Sequence, residues 1–257
     1  MKIRYLDGKR LYHAFLAGGN AVIQDKSYLN RINVFPVQDA DTGTNLASTM
    51  NAIARGAVAS RSLKATLRSI ADAALHGARG NSGLIFAQYI YGISREMETD
   101  AKLSAKNFAE SAKRAVQYAS ESIMTPVEGT MITLIRDWAD ALYELRRKTN
   151  DYTELLSESL HHARASLRDT PKKLAVLPKA GVVDAGAKGF VDFLEGVVHF
   201  IKKGDLKAVP AVGESLPAPA FKVHRHQGPI TNRYCSEALL MGHGLDMDRI
   251  RSLVQEF

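Results

Sequence analysis

A chain of 257 residues, 46% hydrophobic and 24% charged, has the composition of an ordinary soluble globular protein of one large domain, or one domain and part of another. Its single cysteine, Cys235, excludes an internal disulfide and suits a reducing compartment. The N-terminus lacks the apolar core of a signal peptide and no run reaches a membrane span, so a cytoplasmic location is expected. The net charge of +7 does not identify a nucleic-acid partner: between Ile201 and Arg233, six basic residues outnumber two acids in a proline-bearing stretch without interleaved aromatics.

Apolar spacing predicts eight amphipathic helices before residue 204 and no alternating strand. Leu11, Phe15 and Val22 share a face of the first, with Gly18 there allowing a close neighbour. The second runs from Thr44 to about Ala57. Ser62 caps a third, striped by Leu63, Leu67, Ile70 and Ala74 and closed by Gly77 as a C-terminal cap. A fourth starts near Asn81, capped by Asn81 or Ser82. Ser104 opens a fifth, with Phe108, Ala112, Ala115 and Ala119 inward. Thr125–Pro126–Val127–Glu128 has the form of a capping box for the sixth, with Met131, Leu134, Ile135, Trp138 and Leu142 inward. A seventh covers Tyr152 to Leu167, and the eighth runs from Ala185 to Lys202. The expected fold is an all-α bundle. Residues 1–204 form the helical domain, 205–229 a basic proline-rich linker, and 230–257 the start of an incomplete second domain.

Four polar, glycine-bearing turns lead into helices: DADTGTN at 39–45, GARGNSG at 77–83, EGT at 128–130 and DAGAKG at 184–189. Free N–H groups at helix starts favour anions, so these ends would suit phosphates if they converge. GARGNSG has the glycines of an anion-binding turn but is not a P-loop, and Arg79 is either surface charge or a phosphate partner. Asp39 and Asp41, separated only by Ala40, either share a divalent cation such as magnesium or are a solvated residue beside a helix cap. Asp184 reads as the N-cap of the last helix and Glu128 as the capping-box acid. His224 and His226 have no further ligand nearby to complete a zinc site.

NVFPVQDADTGTNL, GARGNSG, EGTMIT and AGVVDAGAKGF, in this order and spacing, resemble the N-terminal nucleotide-binding domain of bacterial fatty acid kinase, itself similar to the L subunit of dihydroxyacetone kinase. The resemblance covers about residues 8 to 203, and the tail from Thr231 looks like the opening of that kinase's middle domain, as in a chain cut short. It implies a barrel of eight antiparallel amphipathic helices with ATP at one end among the loops. Asp39 and Asp41 would be the catalytic, magnesium-holding acids. The L subunit's third acid falls at Val34, leaving Asn33 as the nearest polar substitute, and Gln38 and Ala40 replace an expected proline and glycine.

The resemblance also places Thr42, Thr44 and Asn45, then Gly80, Asn81, Ser82 and Gly83, along the nucleotide. Thr130 matches the third motif, and Asp184, Ala185 and Gly186 would contact the nucleoside side. The implied reaction moves the γ-phosphoryl group of ATP to the carboxylate of a fatty acid on a separate fatty-acid-binding carrier protein, leaving ADP and an acyl phosphate for phospholipid metabolism. The full-length protein would be a homodimer. The alternatives are a small-hydroxyketone kinase and a nucleotide-binding domain inactive without its missing part.

Overall fold

The computed structural model describes residues 2–97, 103–203 and 244–255. The chain divides into two units, Met1–Ala218 and Pro219–Phe257. In the first, α1 (Gly8–Arg31), α2 (Thr42–Gly56), α3 (Leu63–Gly77), α4 (Gly80–Glu96), α5 (Ala105–Glu121), α6 (Met131–Leu145), α7 (Tyr152–Lys173) and α9 (Ala185–Lys203) are the long helices. A five-residue α8 (Val176–Ala180) precedes α9, and β1 (Tyr5–Leu6) pairs antiparallel with β2 (Leu103–Ser104). In the second unit α10 (Met247–Gln255) is described. The linker assigned to 205–229, the boundary at 230, His224, His226 and Cys235 lie outside the described residues. No helix among the described residues is long and apolar enough to cross a membrane.

Each long helix packs on its neighbours in sequence, and α9 returns to α1, so the eight close into a ring. Its interior is apolar, and edge-to-face aromatics cross it. Phe86 meets Phe193 at 5.0 Å, Phe15 meets Phe193 at 5.3 Å and Trp138 meets Phe190 at 5.5 Å. Closure requires α1 and α9 to approach within backbone contact. A Cβ on Gly18 would stand 2.6 Å from the Phe193 ring, and one on Gly196 would stand 2.5 Å from the Ala17 carbonyl oxygen. Up-and-down connectivity then sends alternate loops to the same end, and all four glycine-bearing turns fall there.

Ser62 and Ser104 cap α3 and α5 as expected, accepting from the amides of Ala65 and Asn107 at 3.1 Å each. Several local expectations fail for identifiable reasons. The β1–β2 pair is too short to show alternation. The capping box at Thr125 does not form: Gly129 takes a left-handed φ of 82°, the turn extends, and α6 begins at Met131 with Thr130 as N-cap. Gly77 is not a left-handed cap; its missing side chain admits α2, where a Cβ would come 2.0 Å from Ala52 Cβ. Helix α4 starts at Gly80 with Arg79 as N-cap and no side-chain cap, so neither Asn81 nor Ser82 caps it. Helix α7 runs through Pro171 to Lys173, beyond the predicted Leu167.

The backbone contact at Gly196 yields a direct expectation. Gly196→Ala forces a methyl into the Ala17 carbonyl, and overpacking of this kind costs about 2 kcal/mol. For a domain of this size that lowers the melting midpoint by about 4–8 °C, measurable by thermal denaturation followed by circular dichroism.

Candidate functional site

The first turn is built from the end of α1. Asn33, 3% exposed, donates from Nδ2 to Asp39 Oδ1 at 2.6 Å and to the Val37 carbonyl at 3.2 Å, and its Oδ1 accepts from the Thr42 hydroxyl. Proposed from sequence as a third metal ligand, Asn33 instead has its carboxamide engaged in bracing the loop. One turn earlier Asn30, which sequence reasoning missed, accepts from the Thr44 amide and donates to the Thr44 hydroxyl, both at 3.0 Å. Gly43 lets α2 start against α1, since a Cβ there would lie 2.2 Å from the Lys26 carbonyl oxygen. No local signal marks Asn30, since its partner Thr44 lies 14 residues further on.

Asp39 and Asp41 are held together at some cost. Ala40 between them adopts a left-handed φ of 56°, a conformation disfavoured for any residue with a Cβ. Asp41 is the N-cap residue of α2 by position, but its side chain makes no cap bond. Partial burial pushes the Asp41 carboxyl above its usual range, and the charge of Asp39 adds to this, while the Asn45 side chain pulls it back. Two adjacent oxygen-donor carboxylates that repel each other fit magnesium, which takes one or two carboxylates and completes its shell with water and phosphate oxygens. Among the described residues no third His, Cys, Asp or Glu joins them.

The second turn meets the first directly. Gly80 has a φ of 56°, and a Cβ on it would lie 2.3 Å from Asn45 Nδ2; one on Gly83 would lie 2.7 Å from Thr49 Oγ1. Arg79 folds its guanidinium onto the Ala78 carbonyl at 2.7 Å and is exposed beside this contact.

The third and fourth turns form a second pair. Glu128 binds Arg136 through two bonds of 2.7 Å, accepts from Thr133 at 3.0 Å, and is drawn down to about 2, chiefly by the guanidinium. Thr130 donates to the Val127 carbonyl at 2.7 Å. Asp184 is buried, and its carboxylate accepts from Ala187 N–H at 2.8 Å and also from the amides of Gly186 and Met131. One carboxylate therefore caps α9 and ties it to the start of α6. Burial nevertheless raises the Asp184 carboxyl to about 6, against the pull of those amides.

The structure thus brings the four turns to one end as two touching pairs, and Gly189 joins the pairs by packing on Leu46. Asp39, Asp41, Thr44, Asn45 and the Gly80–Ser82 turn are accessible there, as is Thr130. Thr42, Gly83, Asp184, Ala185 and Gly186 lie buried behind them as supports. A shallow groove of about 640 Å³ lies elsewhere, lined by α2 and α3 residues from Ala52 to Gly77.

This fold, an all-helical ring with its polar turns at one mouth, also defines the class. Residues 36–199 match the DAK2 domain, and the chain belongs to that family. It is 38% identical over 223 residues to an uncharacterized protein of Staphylococcus saprophyticus and 36% identical over 222 residues to protein YloV of Bacillus subtilis. Each alignment takes in 86% of this chain, which spans only 38% of either relative's length. The fold resembles that of the C. freundii dihydroxyacetone kinase solved with AMP-PNP and Mg2+, with a TM-score of 0.53 and 15% identity over 74% of this chain and 33% of that one.

Two expectations test these geometries. In metal-free buffer Asp41→Asn removes a partly buried, repelled charge, so its melting midpoint should rise above that of the wild type at neutral pH and match it near pH 3. For Asp184 the folded protein holds the proton more tightly than the unfolded chain, so stability falls as pH rises from 3.8 to about 6. Asp184→Asn should lack that fall, and Asp184→Ala should cost about 1–2 kcal/mol at neutral pH through the lost cap, both read from denaturant unfolding.

Proposed function

We propose that this domain binds ATP with magnesium at the mouth of the helical ring and transfers the γ-phosphoryl group to a carboxylate. The observation that carries the reading is the junction of an acid pair with a helix start free of side-chain capping: Asp39 and Asp41 on one turn, and Gly80 of the next pressed on Asn45. Cation ligands beside anion-binding amides are the two halves of a metal–phosphate site. Membership of the DAK2 family and a fold shared with a kinase solved with AMP-PNP and Mg2+ support it.

Asp39 and Asp41 would hold the metal, with Asn33, itself braced by Thr42, keeping the Asp39 carboxylate in place and Asn45 that of Asp41. Thr44, Asn45, Gly80 and the amides of Asn81 and Ser82 would follow the phosphates, with Arg79 exposed beside them. Thr130 and the Asp184–Gly186 turn would frame the nucleoside side. Bound magnesium would neutralise charge on the phosphate oxygens. The acceptor carboxylate oxygen attacks the γ-phosphorus, the bond to the bridging oxygen breaks, and ADP leaves with that electron pair, so the product is an acyl phosphate.

A carboxylate is already ionised at neutral pH and requires no general base. Glu128, held low by Arg136, is a poor base for a hydroxyl acceptor, which favours the carboxylate over a hydroxyketone. Within this reading the acceptor is a fatty acid on a separate binding protein, as NVFPV and the TNRYCSE tail suggest. Acceptor recognition and homodimerisation would then draw on surfaces other than the mouth of the ring.

Calorimetric titration of AMP-PNP into this chain should show binding that depends on magnesium, weakened at least about 100-fold in Asp39→Asn/Asp41→Asn, the loss of roughly 3 kcal/mol expected for removing both metal ligands. Binding that survives the double substitution, or needs no magnesium, would refute the assignment of the metal site.

A further inference from the structure

Lys188 lies in the DAGAKG turn but plays no part in capping α9. Its ammonium donates to Asp25 Oδ2 on α1 at 2.7 Å and to Asp192 Oδ1 one turn further along α9, and stands 5.5 Å from the centre of the Tyr28 ring. Asp192 is 5% exposed, and its Oδ2 is buried without a hydrogen-bond partner. One cation is therefore shared between two carboxylates, one of them buried with an unsatisfied oxygen. An apolar trio would hold two helices together without that desolvation cost, so stability alone does not account for the cluster.

Its position supplies an account. The α1–α9 seam is antiparallel, with Ala17 and Gly18 against Gly196 and, two turns along, Asp25 and Tyr28 against Lys188. The next residue, Gly189, packs on Leu29 and Leu46, and Leu29 also bounds the space at Gly43. Further along, α1 carries Asn30, which holds Thr44, and just past its C-terminal cap comes Asn33, which holds Asp39.

We propose that Lys188 is a positioning residue: pinned between Asp25 and Asp192, it couples the Asp184–Ala187 turn to the end of α1 and so to the DADTGTN loop, keeping the two halves of the mouth in register. As a role in nucleotide binding this rests on the reading above; as a coupling between two turns it stands on the geometry. Burial pushes the Asp192 carboxyl up to about 7 despite Lys188, and Asp25 adds to the rise. Of the other helices packed on α9, α7 directs Arg164 to Glu195, and α2 presents Leu46 to this turn. The folded state holds the Asp192 proton more tightly than the unfolded chain, so overall stability falls as pH rises from 3.8 to about 7, while the ion pair with Lys188 forms as Asp192 ionises.

Amide hydrogen exchange on the whole chain without ligand, corrected for intrinsic rates, tests the coupling. Lys188→Met should speed exchange about tenfold both at 185–189 and at 42–46, with Lys188→Arg restoring both. Faster exchange at 185–189 alone, or at neither segment, overturns the proposal. Magnesium–AMP-PNP should bind Lys188→Met about tenfold more weakly, whereas a merely structural lysine would lower the melting point and leave affinity unchanged. A wild-type chain that binds no nucleotide refutes the proposed function and the pin's role in binding, and the exchange data still decide the coupling.

Discussion

Closure of the ring at α1 and α9 is the constraint on which the rest depends. These helices are the first and last of the eight, and nothing local in the chain brings them together. They meet because Gly18 and Gly196 remove the side chains that would hold their backbones apart, and Phe193 fills the remaining space. Once the seam is made, up-and-down connectivity leaves no freedom in where the loops go. Every second connection emerges at the same mouth, and the four glycine-bearing turns occupy those connections. A seam of backbone contacts is thus what converts four separated motifs into one surface.

That surface contradicts local stability at several points. Ala40 is left-handed, Asp39 and Asp41 repel each other, and α4 begins without a side-chain cap. Elsewhere at the same end the rules are obeyed closely: Asp184 serves two helix starts, and Glu128 is saturated by Arg136 and Thr133. The violations gather around Asp39–Gly80 and the satisfied groups around Glu128–Asp184. This division separates a strained part of the mouth from a satisfied one, and strain that the surrounding structure maintains is what the proposed site would use.

The apolar faces of all eight helices were legible in the sequence because burial imposes a period that survives without tertiary information, and Ser62, Ser104 and Asp184 were legible as caps because their partners lie three residues away. What failed depended on remote neighbours. Thr125 to Glu128 satisfies the pattern of a capping box, but Gly129 turns left-handed, and Thr170 and Lys173 of α7 with Leu174 just after it leave no room for a side chain there. Gly77 resembles a terminal glycine but serves contact with Ala52. The pairs Asn30–Thr44 and Lys188–Asp25 join residues 14 and 163 positions apart, so neither has a local signature. The four turns could be read as candidate ligand-binding elements; that they touch in pairs could not, because convergence is a property of ring closure.

Two clusters on either side of the end of α1 make the closing comparison. In one, Asp25 and Asp192 share Lys188, and the protein supplies the positive charge itself. In the other, Asp39 and Asp41 stand one strained residue apart with no lysine or arginine among the described residues paired to either, although Arg79 is exposed close to the same junction and bends towards its neighbour's carbonyl instead. A chain selected only for stability has an obvious remedy for two repelling carboxylates, and it uses that remedy at Asp25 and Asp192. The second pair is braced by neutral carboxamides instead, Asn33 on Asp39 and Asn45 on Asp41, so the repulsion between the two carboxylates is moderated without a cation of the protein's own.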